Sequence, residues 1–219
     1  METTAFLREL EEIRDERLRA LTAAGVASLA VSGMGGGEPI QLLQIALANE
    51  ISVSELAAAW MPATPEVDIK IALARQAGDE ARHFDLVGDR LKQLGFDIAS
   101  FTPPAANPLF DYLRSLATSV ERVAAGLFTL ESIAYNVNDG FMRLCSRRGD
   151  EETVRIYRDF IQPDEQAHQR LGSVLLRAHA VGPAPQEMAR AAVVRTIEIA
   201  AGLRAKAVER LGTACFPGC

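Results

Sequence analysis

At 219 residues, 48% hydrophobic but only 6% aromatic and dominated by Ala and Leu, the chain predicts one all-α domain over 1–219 rather than a sheet protein. Its 29 acidic against 23 basic residues give a net charge of −6 and no basic stripe for nucleic acid, and its three cysteines make no disulfide framework. With no uninterrupted apolar run of the roughly 18 residues that a membrane span needs, and with Met1-Glu2-Thr3-Thr4 in place of a basic leader, a cytoplasmic protein with no membrane partner is expected. Taken in order, residues 3–23 space Phe6, Leu7, Leu10, Ile13, Leu18 and Leu21 among charges, the pattern of an amphipathic helix. The Gly-rich stretch 33–37 has no clear strand before it and reads as a connector rather than a phosphate cradle.

Residues 40–61 place Ile40, Leu43, Leu47, Glu50, Ser54, Ala57 and Met61 on one helical face, so Glu50 falls on an apolar stripe while Glu55 faces out. Pro62 and Pro65 end this helix and start the next, with Thr64 expected to cap the second. Over 66–94 the stripe is Ile69, Leu73, Gln76, Glu80, His83, Val87 and Leu91, closed by Gly95. The Pro- and Ala-rich stretch 96–108 is long enough to cross the length of a bundle. A third helix is expected from Leu109 onward, carrying Leu113, Leu116, Val120, Ala124, Leu127, Glu131, Ala134, Asn138 and Phe141 on one face; Asn138-Asp139-Gly140 can kink or interrupt it, while Phe141, Leu144 and Cys145 resume the pattern.

The fourth helix, 151–180, turns Val154, Tyr157, Ile161, Glu165, His168, Gly172 and Leu175 inward, and Pro163 predicts a kink beside Glu165. A last amphipathic helix, 186–211, packs outside the bundle. Cys215 and Cys219 flank Phe-Pro-Gly, where a turn can close a redox disulfide or help bind a metal, or where two thiols sit on a loose end.

Two copies of one pattern carry the chemistry: Asp79-Glu80-Ala81-Arg82-His83 and Asp164-Glu165-Gln166-Ala167-His168. Glu and His three residues apart share one face of a helix, where the pair can grip one metal ion. Each pair lies on an apolar stripe, and buried charge needs a partner. The lone Glu50 and Glu131 supply the missing half of each set. Glu50 lies roughly 18 Å before the turn at Pro62 and Glu80 roughly 21 Å after Glu66, so they share a level; Glu131 and Glu165 lie roughly 27 and 24 Å from the turn at Gly149. The expected metal ligands are therefore Glu50, Glu80, His83, Glu131, Glu165 and His168. A metal-bound histidine donates its other N–H to a carboxylate, the role expected of Asp79 and Asp164. Tyr135, one turn past Glu131, is the candidate catalytic residue at the pocket.

This ligand set resembles that of the ferritin-like superfamily of carboxylate-bridged di-iron proteins, over roughly 38–180. The resemblance implies a ferritin-like four-helix bundle with additional N- and C-terminal helices and a centre of two iron ions, with manganese as the alternative metal. Asp79 to His83 matches in full the Asp-Glu-x-Arg-His motif of bacterial multicomponent monooxygenases, whereas Ala167 replaces Arg in the second copy. The activity implied is an oxygen-dependent di-iron oxidase or hydroxylase. It would take dioxygen and a small, mainly apolar organic substrate, with an electron-donor reductase as partner and a homodimer as its assembly. A ferroxidase or iron-storage protein and a di-manganese catalase share the ligand types, and the flanking helices at 3–23 and 186–211 favour the oxidase over a storage cage.

Overall fold

The structure is a computed structural model that describes residues 2–31, 38–104 and 107–218, and among them every regular element is a helix. The Gly-rich stretch 33–37, expected as a connector, and Cys219, expected to pair with Cys215 or end as a free thiol, lie outside the described residues. In chain order the α-helices are α1 (Thr3–Val31), α2 (Pro39–Trp60), α3 (Val67–Gln93), α4 (Pro108–Arg114), α5 (Ser119–Val123), α6 (Glu131–Arg147), α7 (Glu151–Ile156), α8 (Gln162–His179) and α9 (Pro183–Leu211).

Helix α2 starts with Pro39 in its first turn, where the missing N–H costs nothing. It is long and apolar enough, by length and composition, to cross a membrane, yet half of its residues are buried in the protein and Glu50 is among them. Thr64 does not cap α3 as expected. Its buried hydroxyl donates instead to the Trp60 carbonyl at 2.9 Å, closing the end of α2, and α3 begins at Glu66 without a side-chain cap. Helix α1 runs on to Val31, well past residue 23, burying Phe6, Leu7, Leu10 and Leu18.

The single helix expected from Leu109 is broken after Arg114. Helix α4 ends at Arg114, and Thr118 starts α5 with a reciprocal cap: its hydroxyl accepts from Glu121 N at 3.2 Å, and Glu121 Oε2 accepts from Thr118 N at 2.9 Å. Nor is the helix interrupted at Asn138-Asp139-Gly140, since α6 continues to Arg147. The irregular turns lie elsewhere. A π-helical stretch, Ala124–Leu130, joins α5 to α6, and another, Tyr157–Ile161, joins α7 to α8. Glu131 N–H reaches back five residues to Gly126 O, and Gln162 N–H to Tyr157 O. In the second case Pro163 has no N–H for the carbonyl four residues back, and the widened turn precedes it.

Small residues let the helices close in. A Cβ on Gly172 of α8 would lie 2.6 Å from Phe128 N and 2.8 Å from Leu127 C, so only glycine fits against that backbone. Helix α9 covers the outside, where Arg190 pairs with Glu9 of α1 at 2.8 Å. After Gly212 the tail is not loose: Cys215 and Phe216 are buried, and Arg204 donates to the carbonyls of Ala214, Phe216 and Gly218 at 2.9 to 3.1 Å.

The apolar core forms two clusters. One holds Val53, Leu73 and Leu175, the other Leu47, Val87 and Ile161. On α2, α3 and α8 the boundary between them falls at Glu50, at Glu80 and His83, and at Glu165 and His168. On these three helices charged residues thus stand between the two apolar clusters, a layer that Glu131 joins from within the first cluster.

Candidate metal centre

Four helices each send an acidic residue into that layer: Glu50 from α2, Glu80 from α3, Glu131 from α6 and Glu165 from α8. The two Glu-x-x-His pairs add His83 and His168, and none of the six is more than 7% exposed. The structure brings together all six residues expected from the sequence. Donor atoms of Glu50, Glu80, His83 and Glu165 lie within 4.8 Å of one another, as do those of Glu80, Glu131, Glu165 and His168. Glu80 and Glu165 belong to both sets, so they stand between two adjacent positions, each of which can hold a metal ion.

The histidines are oriented alike. His83 Nδ1 lies 3.3 Å from Glu80 Oε2 and 3.6 Å from Glu50 Oε2; His168 Nδ1 lies 3.4 Å from Glu80 Oε1 and 3.6 Å from Glu131 Oε2. Their Nε2 atoms point outward and cross over. His83 Nε2–H donates to Asp164 Oδ2 at 3.0 Å, and His168 Nε2–H to Asp79 Oδ2 at 3.1 Å. Each aspartate thus serves the histidine of the opposite helix, which fixes the tautomer that leaves Nδ1 free for a metal. Arg82 also donates to Asp164 Oδ2. Asp79, among the described residues, pairs with His168 alone.

The residues fit a cation by their own chemistry. His168 Nδ1, Glu80 Oε1 and Glu165 Oε2 are buried without a hydrogen-bond partner, and the first two face each other at 3.4 Å without hydrogen-bond geometry. Such orphaned atoms are costly unless something fills the space between them. The same crowding of buried charge shifts the titration of these groups. Burial alone would depress His83, but Glu50 and Glu80 outweigh it and hold the imidazole up at about 11. His168 is likewise pushed up to about 11 against its burial, by Glu131 and Glu80. Burial raises Glu50 to about 8, and burial with the adjacent Glu131 charge raises Glu165 well above the carboxylate range. Glu80, despite its burial, is lowered by His168 and His83.

Two residues beside the site carried no role in the sequence reading. Gln76, one turn before Glu80 on α3 and 1% exposed, donates from Nε2 to Glu131 Oε1 and leaves its own Oε1 without a partner. Tyr157 is completely buried, edge-on to Phe141 with ring centroids 5.1 Å apart, and its hydroxyl has no partner among the described residues. Burial and the Glu50 charge push its phenol well above the ordinary range. Tyr135 stands differently: its hydroxyl accepts from Gln166 Nε2 at 3.5 Å, and it lines a separate cavity of about 360 Å³ with Leu21, Gln162 and Arg143.

The fold and the site together define an all-helical protein with a buried carboxylate and imidazole cluster that can hold metal. The chain belongs to a family described as a protein of unknown function (DUF455), which matches residues 42–203 and so includes all six residues. No curated protein and no solved structure matches it.

Proposed function

We propose that this protein is a ferritin-like, oxygen-dependent di-iron oxidase or hydroxylase acting on a small, mainly apolar organic substrate. One observation carries the reading: two four-residue donor sets that share Glu80 and Glu165. A shared pair of carboxylates is what a four-helix bundle uses to hold two metal ions side by side. Oxygen and nitrogen donors without thiolate suit iron, with manganese next. Iron held by these six residues would supply electrons for the reduction of dioxygen.

The rest of the work falls to the chain. Asp79 and Asp164 hold the two imidazoles in one tautomer, and Gln76 holds one oxygen of Glu131. The apolar clusters on either side exclude bulk water, which strengthens every charge interaction between them. A groove of about 910 Å³ runs beside α2, bordered by Ile45, Ala48, Asn49, Phe96, Phe101 and Phe216. It is large enough for a small organic molecule and lies next to the residue that precedes Glu50. We assign the substrate to it. Tyr135 lines the smaller cavity with Gln162 and not this groove, so in this reading it does not touch the substrate. The assembly in this reading is a homodimer, with an external reductase as electron donor.

The test is reconstitution with Fe(II) without oxygen, followed by exposure to dioxygen. About two irons per chain and rapid dioxygen consumption are expected. Iron that binds but leaves dioxygen untouched would remove the oxidase reading, and a 24-subunit particle on size-exclusion chromatography would favour storage instead.

A further inference from the structure

The surroundings of the two donor sets are not equivalent: Arg82 contacts the aspartate behind one histidine, and Gln76 contacts a carboxylate of the other set. Both histidines lean on an aspartate of the opposite helix. Asp164 Oδ2, however, accepts from His83 Nε2–H and from Arg82 Nη2–H at once, whereas Asp79 Oδ2 accepts from His168 alone among the described residues. The sequence repeats the asymmetry: where the first copy has Arg82 the second has Ala167.

We propose that Arg82 sets the order in which the two ions bind, making the His168 position the tight one and the His83 position the weak one. This rests on the dinuclear reading above. A carboxylate that accepts a proton-rich imidazole N–H makes the other ring nitrogen a better donor. When a guanidinium shares the same oxygen, the carboxylate has less charge to offer, so His83 Nδ1 is the poorer ligand. The guanidinium charge, next to His83 in sequence, also opposes a second positive ion arriving on that side. Both effects act in the same direction. Gln76 acts in the other, since its amide draws on Glu131 in the His168 set. A neutral amide withdraws less charge than a guanidinium, so it narrows the difference without reversing it. Arg82 binds no metal itself and is a positioning residue.

Two adjacent ions repel each other, so even a symmetric centre fills in two unequal steps. The identity of the first position and the effect of Arg82 therefore decide the matter. The experiment is an anaerobic titration of the full chain with Co(II), read by calorimetry and by the imidazole NMR signals of the two histidines. At one equivalent the large through-bond contact shift of a coordinated imidazole N–H should belong to His168, while His83, close to the ion but not bound to it, should show only the smaller through-space shift. Arg82→Gln should strengthen the weak step by roughly tenfold, the lower end of what outer partners of metal ligands contribute, and Arg82→Lys should keep most of the wild-type gap. Arg82 is half exposed, so its loss should not disturb the fold, and raising the salt concentration should shrink the gap in the wild type more than in Arg82→Gln. Asp79→Asn, which removes the partner of His168, should weaken the first step and bring the two positions together. If His83 fills first, or if two ions bind but Arg82→Gln changes neither step, the proposal fails while the dinuclear centre stands. If no Co(II) binds, both fall.

Discussion

His83 on α3 donates through Nε2 to Asp164 on α8 at 3.0 Å, and this contact ties together the two helices that carry the Glu-x-x-His pairs. The reciprocal contact runs from His168 to Asp79 at 3.1 Å. Replacing either aspartate by Asn keeps size and removes charge. Each change should lower metal affinity by roughly 10- to 100-fold with little loss of helix. Metal titration beside circular dichroism checks it; an unchanged affinity in both variants would mean that the crossed pairs do not orient the imidazoles.

The shared carboxylates should behave unlike the terminal ones. Glu80 stands in both donor sets, whereas Glu50 and Glu131 each stand in one. Glu80→Ala should therefore remove both ions and Glu50→Ala only one. Metal content after gel filtration distinguishes them, and one retained ion in Glu80→Ala would contradict the geometry. His168→Ala should lose the tighter ion.

The metal-free protein should become less stable as the pH rises. Glu50 is raised to about 8 from 4.5, so between those values the folded chain holds a proton that the unfolded chain has released. Glu165 is raised as well and acts the same way. His83 and His168, raised to about 11 from 6.5, contribute stability that is complete below 6.5 and lost as the pH climbs toward 11. Glu80 is lowered and has the opposite sign, but its window lies below 4.5. Stability falls wherever the folded state binds more protons than the unfolded state. Thermal melts of the metal-free protein should give a lower Tm near pH 8 than near pH 5.5. Added metal should reverse the trend, because it displaces those protons. Parallel pH profiles with and without metal would contradict this.

Gly172 should be nearly irreplaceable. An added methyl would meet the Phe128 and Leu127 backbone, which cannot swing aside, so Gly172→Ala should cost about 1–3 kcal/mol. Gly78, exposed on α3 with nothing within 4 Å of an added Cβ, is the control. Gly78→Ala should hold or raise stability by up to about 1 kcal/mol, since alanine loses less backbone entropy in a helix. Thermal or denaturant unfolding of the two variants compares them directly.

The six clustered residues were legible because three separate patterns agreed. The period of about 3.6 put Glu50 and Glu131 on apolar stripes, the i, i+3 spacing paired Glu80 with His83 and Glu165 with His168, and counting from the turns set them at common heights. Those heights held because α2 and α3 join through a short turn and because α6 reaches Arg147 unbroken. The break before α5 was missed although Thr118 and Glu121 carry its signature, since an unbroken run of apolar spacing continued across it. The π-helical turns were not legible at all. Such a turn adds one residue without changing the apolar pattern, and it alters which neighbours face the site. The apolar stripe already turned Tyr157 inward, but it lies eight residues before Glu165, and a regular α-helix would set the two about 80° apart. With one residue absorbed by the wide turn, the two return nearly to one face. Tyr157, not Tyr135, is accordingly the tyrosine buried against the charge layer.

The most direct test of the central claim is the number of metal ions the intact chain holds. Protein loaded with Fe(II) under nitrogen and freed of excess metal should retain about two irons per chain, and Glu80→Ala should retain almost none. Fewer than one iron per wild-type chain, or equal retention by the two proteins, would contradict a centre built on Glu50, Glu80, His83, Glu131, Glu165 and His168.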